Sequence, residues 1–119
     1  MPYTYEYPHP AVGTDIVIFT VQDDALKVLL IRRGLEPYLG QWATPGGFLR
    51  MEESIDECAR RELCEETGVR DVYLEQLYTF GAVARDPRER VLTVAYFALI
   101  AVEGQTVEAG DDAADAQWF

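Results

Sequence analysis

The stretch Gly46–Val69, GGFLRMEESIDECARRELCEETGV, holds seven carboxylates, with Arg60 and Arg61 set among them. Like charges this close repel one another, so the segment must either solvate them or use them. Its local structure is legible. Ser54 followed three residues later by Glu57 is a capping box: the hydroxyl accepts from one orphan amide and the carboxylate from another. Gly68, directly after Thr67, supplies a left-handed stop. Ile55, Ala59 and Leu63 recur at helical spacing and give a narrow apolar stripe. These signals predict a helix over Ile55–Thr67. On it Glu62 and Glu66 stand one above the other, and Glu65 lies about 60° round from Glu62. The three share one sector of the surface.

A solvated face neutralised by Arg60 and Arg61 is one way to keep such a cluster. The other is a set of hard oxygen ligands for divalent cations, which remove the repulsion. The preceding TPGGF favours the second, because Gly46 and Gly47 allow close backbone approach and offer a carbonyl toward the same ions. A glycine loop leading into a helix that carries glutamate ligands reads as a diphosphate clamp in which metal supplies the positive charge.

The spacing Gly, any five, Glu, any seven, Arg-Glu-apolar-any-Glu-Glu-any-Gly-apolar is met at Gly47, Glu53, Arg61, Glu62, Leu63, Glu65, Glu66, Gly68 and Val69. It resembles the Nudix box, and the likeness extends over nearly the whole chain. The resemblance implies an α+β fold, an α/β/α sandwich with a mixed central sheet and the box's loop and helix. It also implies a C-terminal helix after QWF, which this sequence does not include, as expected either of a minimal protein or of a piece of a longer one. It implies a hydrolase acting on a nucleoside diphosphate linked to another moiety. It makes Glu62, Glu65, Glu66 and the Gly46 carbonyl ligands of Mg²⁺ (or Mn²⁺). Arg61 would orient the glutamates, and Glu53 would be an outer carboxylate. The general base is left between Glu62 and a carboxylate six residues before the tryptophan, which is Asp112, with Asp111 and Asp115 as rivals.

Within the family, YEYPHPAVGTDIVIF and the segments flanking the box resemble the ADP-ribose pyrophosphatase branch. They also resemble the sensor domain of transcriptional regulators of NAD metabolism. The expected reaction is ADP-ribose to AMP and ribose 5-phosphate. The alternatives are a Nudix hydrolase for nucleoside triphosphates or dinucleoside polyphosphates, and a non-catalytic sensor. Arg85 and Arg88, in the loop between two strands, are candidate substrate contacts together with Gly47.

Outward from the box, Ala11–Val21 and Leu26–Arg33 read as a strand hairpin, Val72–Phe80 and Val91–Val102 as further strands, and QWF as the start of a last one. Residues 34–47 and 103–116 read as loops. The chain is expected to form one domain over residues 1–119. Its net charge of −11 leaves no basic stripe for a nucleic-acid backbone, so a small nucleotide is the expected partner. No apolar run approaches a membrane span, which makes the cytoplasm the expected compartment. A homodimer is an assembly the sequence leaves open. Cys58 and Cys64, six apart on one helix, cannot pair with each other and read as ordinary helix residues.

Overall fold

The computed structural model describes residues 3–87 and 89–119. The chain builds one mixed sheet and one α-helix. β1 (Ala11–Gln22) and β2 (Ala25–Arg33) form an antiparallel hairpin. Its turn residues Asp23 and Asp24 both have positive φ, 54° and 60°. That is the conformation whose twist matches paired strands, and aspartate tolerates it. β3 (Trp42–Ala43) and β4 (Gly46–Phe48) follow, then α1 (Ile55–Thr67), β5 (Glu75–Phe80), β6 (Val91–Leu99) and β7 (Ala113–Trp118).

The sheet runs β3-β2-β1-β6-β5, with β4 on β1 and β7 on β2. β1 and β6 are parallel over nine residue pairs, from Ala11–Val91 to Phe19–Leu99. The other edge of β1 is divided. Its end pairs with β2, while Gly13, Thr14 and Asp15 pair with Phe48, Gly47 and Gly46 of β4. β2 therefore parts from β1 as it runs, and turns to β3 and β7. The opening between the two branches is where the site forms.

Because side chains alternate along a strand, the two faces of the sheet separate cleanly. Thr14, Ile16 and Ile18 of β1 and Val94, Tyr96 and Ala98 of β6 are buried on the face toward α1. They meet Ala59 and Leu63 there, with Ile55 partly buried against the cluster. The predicted stripe thus packs as expected. Tyr96 carries its hydroxyl to Asp56 in the first turn of α1 and accepts from Gln76 Nε2 at 3.3 Å, which ties β6 to the helix start. Among the described residues α1 is the one helix, and the mixed sheet with the box's loop and helix is the fold that the resemblance implied. No helix of the described residues is long and apolar enough to cross a membrane.

Several boundaries differ from the sequence reading. The segment read as loop 34–47 contains β3 and the start of β4, too short to show a period. Ala113–Ala116, read as acidic loop, begins β7, because pairing with Ile31, Arg32 and Arg33 outweighs its poor strand composition. β5 starts at Glu75 rather than Val72, and β6 ends at Leu99.

Candidate active site

The helix that carries the acidic cluster is fixed at both ends. Ser54 Oγ accepts from the Glu57 amide at 3.1 Å, and Glu57 Oε1 accepts from the Ser54 amide at 2.9 Å. Gly68 closes the helix at φ 79°, its amide bonded to the Cys64 carbonyl. The caps fix the ends of α1, and the packing of Ile55, Ala59 and Leu63 on the sheet fixes its rotation, and with it the glutamates.

Glu62 and Glu66 are buried, at 8% and 5% exposure, and Glu65 is more open. Arg61 organises the neighbourhood. Its Nε and Nη2 donate to both oxygens of Glu53, at 2.8 and 2.6 Å, a bidentate clasp. Its Nη2 also reaches the Phe48 carbonyl at 3.1 Å. Nη1 donates to Glu62 Oε1 and, at 3.3 Å, to Glu65 Oε1. The clasp holds the Glu53 carboxyl down to about 2 and drives the Arg61 guanidinium further up. Arg61 thus contacts Glu62 and Glu65, and Glu53 anchors it.

Glu66 faces β4. Its Oε1 accepts from the Gly46 amide at 2.7 Å. Pro45 and Gly47 turn their carbonyls to β1, accepting from the Ile16 amide and the Thr14 hydroxyl. Amide and carbonyl of one strand residue share an edge, so the Gly46 carbonyl faces the Glu66 edge. Both glycines are required by close approach. A methyl group at Gly46 would lie 2.0 Å from the Thr14 carbonyl, and one at Gly47 would lie 2.4 Å from the Glu62 carboxyl carbon.

The loop before β7 closes over this edge. The Glu108 amide bonds to the Thr67 carbonyl at 2.7 Å, and the Gly110 amide to the Glu66 carbonyl at 3.3 Å. Burial pushes Glu66 up to about 7, and the charges of Glu62, Asp111 and Asp112 add to it. Burial likewise raises Glu62, with Glu65 and Asp111 adding and Arg61 opposing. Desolvated carboxylates that raise one another are a donor set suited to a hard divalent cation. No three His, Cys, Asp or Glu side chains among the described residues are gathered into a cage. The guanidinium of Arg61 instead holds Glu62 and Glu65, and Arg50 lies 3.7 Å from Glu65.

A cleft of about 390 Å³ opens beside this edge, lined by Asp15, Arg33, Gly46, Glu66, Arg85 and Asp112 among others. Of the rival loop carboxylates, Asp112 lines the cleft. Asp111 faces Glu62 and Glu66 electrostatically. Asp115 is engaged with its own strand, accepting from the Ala116 amide and from Gln117 Nε2, each at 2.8 Å. Arg85 stands in the cleft with its guanidinium on Thr93 Oγ1. Arg88 lies outside the described residues. Asp15 and Arg33 were not singled out in the sequence. The signal for Asp15 was a lone carboxylate within the apolar, β-branched run of β1.

A family model described as NUDIX domain matches residues 9–119. The chain is 44% identical over 97 residues to the "ADPR responsive transcriptional repressor NtrR" of Acinetobacter baylyi, covering 80% of this chain and 39% of that protein. It is 37% identical over 113 residues to the "ADP-ribose pyrophosphatase" of Methanocaldococcus jannaschii, covering 95% of this chain and 63% of that one. The NUDIX domain of Shewanella oneidensis NrtR, solved with ADP ribose, superposes with a TM-score of 0.87 at 37% identity, over 95% of this chain and 74% of that one. The chain thus spans less than two thirds of the length of either curated relative. With the glycine loop, the capped helix and the Arg61 clasp in the arrangement that the box spacing predicts, and with the family model running from the N-terminal arm to the last residue, the chain belongs to the NUDIX domain family.

Proposed function

We propose that this chain hydrolyses the diphosphate of ADP-ribose, with Mg²⁺ or Mn²⁺, to AMP and ribose 5-phosphate. The observation that carries the reading is the desolvated acidic edge, Glu62 and Glu66 against Gly46, opening onto a cleft large enough for a nucleotide. The 37% identity to an ADP-ribose pyrophosphatase over 95% of the chain supports the substrate. Glu62, Glu65, Glu66 and the Gly46 carbonyl would hold the ions. A bound divalent ion supplies charge neutralisation of the diphosphate and an acidified water.

The chain's own residues do the rest. Arg61 holds Glu62 and Glu65 in rotamers aimed at one side of the helix, and Glu53 holds Arg61. Gly47 leaves room for the Glu62 carboxylate against the backbone. Asp112 lines the cleft and would take a proton from a water at the diphosphate, with Glu62 the alternative acceptor. Arg85 offers a guanidinium to a phosphate oxygen.

A second reading has its own support. The 44% identity to an ADP-ribose-responsive repressor, of which the chain spans 39%, fits a ligand-sensing domain. On that reading nucleic acid returns as a partner of the longer protein. A panel of nucleoside diphosphate derivatives, incubated with Mg²⁺ and with Mn²⁺ and read by phosphate release after phosphatase, separates the two. Hydrolysis of ADP-ribose above the other compounds supports the enzyme. Saturable binding without product, with either metal, supports the sensor.

A further inference from the structure

Asp15 sits on the sheet face that α1 does not cover. Thr14 points to the helix, its Oγ1 3.6 Å from Cys58 Sγ, so alternation sends Gly13 and Asp15 to the opposite face. That face is the floor of the cleft. Gly13 keeps the floor flat beside Asp15, and Thr93 and Ala95 of β6 lie next to Gly13 and Asp15 in register. On its other side Asp15 is the register partner of Gly46, and a methyl group at Gly46 would come within 2.9 Å of Asp15 Oδ1. The carboxylate therefore stands one residue's breadth from the backbone that faces the acidic edge.

Among the described residues no hydrogen bond or ion pair is made by the Asp15 carboxylate, although the residue is half-buried. Burial pushes the Asp15 carboxyl above its ordinary value, and the charge of Arg85 offsets part of that rise. Arg85 is held away from it by its bond to Thr93 Oγ1. A half-buried carboxylate and an anchored guanidinium thus share one cleft without pairing. Such a pair of oxygens accepts hydrogen bonds and repels phosphate, and the neighbouring Arg85 charge disfavours a cationic ligand. What remains is a neutral group with two donors at the spacing of a carboxylate. A vicinal diol of a sugar is such a group.

We propose that Asp15 is a specificity-determining residue that accepts hydrogen bonds from the hydroxyls of the sugar joined to the far phosphate, while Arg85 takes an oxygen of that phosphate. The proposal rests on the nucleoside-diphosphate-sugar reading of the site above. It adds the part of the site that would separate a diphosphate bearing a sugar from a bare nucleoside diphosphate.

The test uses two ligands that differ in that sugar, ADP-ribose and ADP. KM for ADP-ribose and the inhibition constant of ADP are measured in Mg²⁺ for the natural chain, Asp15→Ala and Asp15→Asn. Calorimetric dissociation constants for both ligands are measured in parallel, and thermal unfolding confirms that each variant folds. Losing hydrogen bonds to a charged acceptor should raise KM and the dissociation constant for ADP-ribose roughly 10- to 100-fold in Asp15→Ala, on KM rather than kcat. Asp15→Asn, which keeps one acceptor, should fall between. ADP should change by less than about twofold on the same argument. Equal weakening of both ligands, or of neither, overturns this assignment and leaves the hydrolase or sensor reading standing. A natural chain that neither hydrolyses nor binds ADP-ribose overturns that reading and this one together.

Discussion

Glu66 shows how a residue can be costly to the fold and useful to the site. It is nearly buried, accepts one hydrogen bond from the Gly46 amide, and faces Glu62, Asp111 and Asp112. Glu66→Gln keeps the shape and the acceptor and removes one charge. It should abolish measurable turnover while raising the unfolding temperature of the metal-free protein, and addition of Mg²⁺ should stabilise it less than it does the natural chain. Normal turnover with lower metal-free stability would reject Glu66 as a ligand. Glu53 lies on the other side of the balance. Its carboxyl is held at about 2 against an ordinary value of 4.5, because it accepts the Arg61 clasp. A depressed carboxyl stabilises the fold above its unfolded value and loses that contribution as pH falls toward the folded one. Urea midpoints measured from pH 5 to pH 2.5 should therefore fall more steeply for the natural chain than for Glu53→Gln. Parallel curves would mean that the clasp adds nothing to folding. At this scale the box residues were legible because their spacing is specific. Asp15 was not, because one carboxylate inside an apolar strand has no pattern; only its position over the cleft gives it meaning.

At the scale of elements, α1 was legible to the residue, since a capping box opens it and a left-handed glycine closes it. Ser54→Ala removes the acceptor for the Glu57 amide and should cost about 1 kcal/mol of stability. At saturating Mg²⁺ and substrate its rate should stay near that of the natural chain. A large rate loss in a folded variant would show that the cap also sets Glu53. β7 was legible only at its last residues. Ala113–Ala116 carries three alanines and an aspartate where strands favour β-branched residues, and its place comes from partners far away in sequence. That misreading matters for the base. Asp115 belongs to the strand and satisfies its own backbone, whereas Asp112 precedes it at the cleft wall. Asp112→Asn should lower kcat roughly 100-fold or more, the scale of a positioned proton acceptor. Asp115→Asn should stay within about threefold, being remote from that proton. Equal, small effects in both would remove the loop from the reaction and leave Glu62 as the base.

For the whole molecule, the divided edge of β1 is the feature that creates a site. β4 and β2 leave β1 in different directions, and the box helix, the loop before β7 and the Arg85 loop all converge on the gap. The sequence showed the ingredients, two long strands, a helix and two more strands, but not the split, because two- and three-residue strands carry no periodicity. The mixed sheet with the box's loop and helix was legible; among the described residues the helix covers one face of the sheet, and the other forms the cleft floor. On the proposed reading this gap hydrolyses ADP-ribose. The direct measurement is chromatographic product analysis after incubating ADP-ribose and Mg²⁺ with the purified chain, with chelator and with Glu66→Gln as controls. The account predicts AMP and ribose 5-phosphate in equal amounts, absent from both controls. ADP-ribose recovered intact under conditions where it binds the protein would contradict it.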